Sequence, residues 1–71
     1  MRVGDFIKVR PKSKQGMNRC NEHGRVWEIL KIWRSCILVA ATDNSGCWRW
    51  IDESDDHDFE IVNVFNDLEC L

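Results

Sequence analysis

With 71 residues, 44% hydrophobic and 31% charged, the chain has the composition of one small globular domain, which excludes a disordered or fibrous segment. Its length lies near the lower limit for a core that holds without staples, and four tryptophans supply large apolar areas that make a metal or disulfide unnecessary. The net charge of −2 divides unevenly, with a balance of +6 over residues 1–34 and −8 over residues 35–71, a pattern that bears on partners rather than on fold.

In chain order, "DFIKVR" (5–10) alternates Ile7 and Val9 with Lys8 and Arg10, the period of a half-buried strand. Pro11 stops it, and "PKSKQGMNRCNEHG" (11–24) reads as a long polar loop, of the kind that often carries function. "RVWEILKIW" (25–33) mixes β-branched and aromatic residues on both faces and predicts a second, curved strand. A helix competes here, since Val26, Leu30 and Trp33 also fit a spacing of three to four, but the β-branched content and the preceding glycine favour strand.

"SCILVAAT" (35–42) and "CWRWID" (47–52) predict a third and a fourth strand, joined by the turn "DNSG" (43–46). "ESDDHD" (53–58) is an acidic turn, "FEIVNV" (59–64) a fifth strand with Phe59 and Ile61 inward, and "FNDLECL" (65–71) a tail without periodicity. One domain over residues 1–71, with its core at about 3–64, is the expected organisation. Five short strands with a long first loop and tight later hairpins predict an all-β fold, a strongly bent antiparallel barrel closed so that few edges are exposed.

On a strand, residues two apart share a face, so Trp48 and Trp50 point one way and Cys47, Arg49 and Ile51 the other. Arg49 is costly to bury unpaired, which favours the tryptophan face as part of the core over its being a binding surface. On the second strand the same rule groups Trp27, Ile29, Lys31 and Trp33. Either part of this face is exposed, making an indole beside Lys31 a contact hot spot, or a bulge near Gly24 lets both faces share in the core.

The loop segment offers Arg10, Lys12, Lys14 and Arg19 without one acid between them. These are candidate contacts for a protein assembly or a nucleic-acid backbone, although the loop has no stacking aromatic and the whole chain is acidic. Cys20 and His23, three apart in "CNEH", are the weak metal candidates, with Cys36 and Cys47 as further thiols for a four-ligand zinc site. Cys36 falls in an apolar run where a small buried hydrophobe is the commoner reading, and paired CxxC knuckles are missing, so no cofactor is expected.

No phosphate-cradling glycine loop and no nucleophile with an orienting group appears, so no catalysis is expected. With neither an apolar run of signal-peptide length nor a membrane span, the expected setting is the cytoplasm with reduced thiols.

"VGDFIKVRP…G…HGRVWEI" resembles the opening of SH3-like barrels, particularly KOW-type domains, in which a strand and loop lead through a Gly-x-Val-x-x-Ile turn into the second strand. That turn corresponds to Gly24, Val26 and Ile29. In outline the chain is also similar to the small SH3-like accessory subunits of photosynthetic electron-transfer complexes. The resemblance implies a non-catalytic binding module. The expected function is an accessory or regulatory protein, or an inhibitor, that docks on a protein assembly through Arg10, Lys12, Lys14, Arg19, Trp27, Lys31 and Trp33. The alternative is KOW-like RNA or DNA binding through residues 10–19.

Overall fold

The computed structural model describes residues 1–66, in which five strands and one helix follow in the order β1 (Phe6–Pro11), α1 (Lys14–His23), β2 (Val26–Trp33), β3 (Cys36–Ala41), β4 (Trp48–Asp52) and β5 (Phe59–Phe65). Cys70 and the end of the predicted tail lie outside the described residues. The five strands form one antiparallel sheet of order β4-β3-β2-β1-β5. All five predicted strands are present, and the ambiguous segment 25–33 is strand.

Two expectations are corrected. The first is the polar loop at 11–24, most of which is the helix α1. Its start is fixed by Ser13, whose hydroxyl accepts from the Gly16 N–H at 3.0 Å. Its end is fixed by Gly24 in a left-handed conformation (φ 88°), whose N–H donates to the Cys20 carbonyl at 2.8 Å. Only Gly16 and Cys20, one turn apart, are buried on the helix, so the apolar stripe is too narrow to reveal the period.

The second correction concerns closure. β4 and β5 stand at opposite ends of the sheet order and are not paired with each other, so the sheet is open rather than a closed barrel. Two irregularities bend it. Leu30 is an extra residue in β2 between Ile29 and Lys31, and Val62 an extra residue in β5 opposite the Lys8/Val9 step.

The core contains Ile7, Val9, Cys20, Trp27, Ile29, Ile37, Val39, Ile51 and Phe59, at least one residue from every element. Trp27 is its largest member, and its indole N–H donates to the Gly24 carbonyl at 3.2 Å, so no polar atom of the ring is stranded. The helix sits so close to the segment before β5 that a Cβ at Gly16 would lie 2.1 Å from the Asp58 carbonyl oxygen. Only glycine permits that approach.

Candidate docking face

The alternation in β4 is the reverse of the burial expected for it. Ile51 is buried, Arg49 is half-buried, and Trp48 and Trp50 are 62% and 42% exposed. Arg49 enters the inner face because it is compensated there. Its guanidinium carbon lies 4.6 Å from the Phe59 ring centroid, and Nη2 stands 3.4 Å from Asp58 Oδ2 and 3.7 Å from Asp56 Oδ2. A charge that finds a ring face and two carboxylates meets a smaller desolvation penalty than an unpaired one.

Directly opposed residues of an antiparallel pair share a face, so the register identifies the outer surface of β2, β3 and β4. Glu28, Ala40 and Trp48 form one cross-strand row, Lys31, Leu38 and Trp50 the next, and Trp33, Cys36 and Asp52 the third. Neighbouring rows are about 7 Å apart along the strands. The first row continues across β1 and β5 as Phe6 and Phe65, which stack with their centroids 6.2 Å apart. Three of the four tryptophans thus stand on one sheet face, against a core that retains only Trp27 and Phe59 as aromatics.

The bulge at Leu30 separates the residues that a simple period of two had grouped on β2. Before it, Trp27 and Ile29 are fully buried. After it, Lys31 and Trp33 look outward, with Trp33 59% exposed and the Arg34 guanidinium carbon 5.6 Å from the centroid of its ring system. Lys31 and Trp33 therefore belong to the exposed face, and Trp27, buried at 0% exposure, is a core residue with no surface to offer. Trp48, Trp50 and Leu38 complete the face. The sequence signal for them was the block of carboxylates at 52–58, which supplies the inward partners of Arg49.

The basic residues of 10–19 are dispersed into local pairs. Arg10 bonds Glu60 across β1 and β5, Lys12 donates to the Asp56 carbonyl at 2.7 Å, and Arg19 lies 3.9 Å from Glu22 on its own helix. Lys14 is exposed in the first turn of α1. From the acidic half, Glu60 pairs with Arg10 and Asp43 with His23, while Asp56 and Asp58 pair with Arg49 of the same half. Asp58 also accepts from the Ser13 hydroxyl at 2.6 Å, and that bond, followed by Arg49, holds its carboxyl below the ordinary range despite its partial burial.

Between α1 and β4, Gln15, Asn18, Arg19 and Glu22 face Arg49 and Asp58 across an open polar cleft of about 520 Å³. At the other end of the helix, His23 Nδ1 stands 2.9 Å from Asp43 Oδ2 in the β3–β4 turn, and its ring meets Trp27 edge-on at 6.1 Å. The Asp43 carboxyl is held down at about 2 by the Ser45 hydroxyl and then by His23. Cys20 is buried in the core, which pushes its thiol pKa up, and among the described residues no three His, Cys, Asp or Glu side chains are placed to share a metal ion. No helix among the described residues is long and apolar enough to cross a membrane.

No protein-family model, no curated protein and no solved structure matches this chain.

Proposed function

We propose that the chain is a non-catalytic protein-docking module, an accessory or regulatory protein that binds its partner through the outer face of β2, β3 and β4. The single observation that carries this reading is the placement of Trp33, Trp48 and Trp50 on one exposed sheet face around Leu38. Large aromatic side chains left in water cost solubility and return energy only when a partner covers them, and tryptophan is enriched at contact hot spots. The bent five-stranded antiparallel sheet, with its long first connection and short later turns, supports an SH3-like architecture for the module.

Nucleic-acid binding through residues 10–19 is the weaker reading, because Arg10, Lys12 and Arg19 already have partners within the chain. The two separate in an affinity capture from the source cell with and without nuclease. A docking module retains discrete protein partners after nuclease and loses them in a folded Trp48→Ser/Trp50→Ser variant, while Lys12→Glu/Lys14→Glu leaves them bound. Loss of all partners with nuclease, or with the lysine changes alone, overturns the proposal.

A further inference from the structure

The outer face is complementary to itself. Its central rows read Glu28–Ala40–Trp48 and Lys31–Leu38–Trp50, each running from β2 to β4. The two rows match in form and differ in content. At β2 one holds an acid and the other a base, at β3 one holds a small residue and the other a large one, and at β4 both hold tryptophan.

Consider a two-fold axis lying in the plane of a face-to-face contact, perpendicular to the strands and midway between these rows. It exchanges them. Lys31 of one copy then meets Glu28 of the other, Leu38 fills the space above Ala40, and Trp50 lies against Trp48, each contact occurring twice as an isologous interface requires. Face-to-face sheets pack about 10 Å apart with a modest crossing angle, a separation that large side chains such as these fill. Among the described residues neither Lys31 nor Glu28 has an ion-pair partner within its own chain, so both are available for this exchange.

The bulge is what creates the pattern. Glu28 and Lys31 are three apart and would face opposite ways on a regular strand, but the extra residue Leu30 puts both on the outer side.

We propose that the tryptophan face docks a second copy of this chain, through Lys31 against Glu28 and Trp50 against Trp48 across a two-fold axis. This rests on the reading of that face as a protein-docking surface and names its partner. A like-charge juxtaposition across such a contact opposes pairing, whereas a charge exchanged on both sides restores it.

The test is sedimentation equilibrium on the purified full chain from micromolar to millimolar concentration, with circular dichroism confirming that each variant is folded. The wild type is expected to dimerise reversibly. Lys31→Glu alone and Glu28→Lys alone should each weaken self-association at least about tenfold. An equimolar mixture of the two variants should recover a dimer, because every substituted charge then meets its opposite, and the double variant should recover it as well.

A wild type that stays monomeric throughout overturns the proposal, and so does a dimer indifferent to both single changes. If the monomeric chain still loses its nuclease-resistant protein partners on Trp48→Ser/Trp50→Ser, the self-docking inference falls and the docking reading stands. If a monomer instead binds single-stranded oligonucleotide on this face, both fall.

Discussion

Arg49 lies with its guanidinium carbon 4.6 Å from the ring centroid of Phe59 on the inner face of the sheet, while Trp48 and Trp50 on either side of it point outward. A strand can direct a charge inward and two indoles outward only when the charge has inward partners, and Asp56 and Asp58 provide them. Arg49→Ala leaves both carboxylates without their cation and is expected to lower stability by about 2 kcal/mol in urea unfolding. Arg49→Lys keeps the charge but not the planar fork or the stacking, and should recover only part of the loss. An alanine variant as stable as the wild type would mean that the inward Arg49 contributes nothing.

Gly16 is where the helix approaches the backbone before β5 most tightly. Alanine is the better helix former by about 1 kcal/mol. At this position its Cβ would fall 2.1 Å from the Asp58 carbonyl oxygen, so Gly16→Ala is expected to destabilise by about 1–3 kcal/mol. Met17→Ala, at an exposed position of the same helix, should change stability by less than about 0.5 kcal/mol, and equal midpoints for the two variants would contradict the close approach.

Trp27 and Trp48 should respond to truncation in opposite ways. Trp27→Ala removes the largest buried side chain and its bond to Gly24, an expected loss of about 3–5 kcal/mol that a domain of this size does not tolerate well. Trp27→Phe, which keeps most of the volume, should fold with a lowered melting temperature. Trp48→Ala in dilute solution should melt within a few degrees of the wild type.

The link between His23 and Asp43 makes a specific prediction about acid. The folded Asp43 carboxyl titrates at about 2, below its unfolded value near 4, so its contribution to stability is complete above about pH 4 and is lost as pH falls through about 2. A carboxyl-detected NMR titration should give a midpoint near the lower value. Ser45→Ala should raise it most and His23→Ala less, following the order of their effects. A wild-type midpoint at the ordinary aspartate value would remove the link.

The strands were legible from their alternation and turns, and all five lie within about two residues of their expected ends. What was not legible follows from single residues. Helix α1 has a clear cap in Ser13 and a clear stop in Gly24, but its buried stripe is one glycine and one cysteine, so no apolar period announces it. The burial of β4 is the inverse of its expected alternation because the partners that let Arg49 face inward, Asp56 and Asp58, lie in the loop beyond the strand. The grouping of Trp27 with Trp33 failed at Leu30, since one inserted residue moves every later side chain to the other face. The period alone left open whether Lys31 and Trp33 are exposed or share in the core, and the bulge at Leu30 turns both outward. The face they belong to became visible only when the register joined them to Trp48 and Trp50.

Oxidative footprinting of the four tryptophans, resolved one by one by mass spectrometry in the free chain at high dilution and again in the bound state, is the most direct test. Trp33, Trp48 and Trp50 should be modified in the free chain and protected on binding, with Trp27 spared in both. Trp48 and Trp50 spared in the free chain as Trp27 is, or modified equally in both states, would contradict a docking face on the outer side of the sheet.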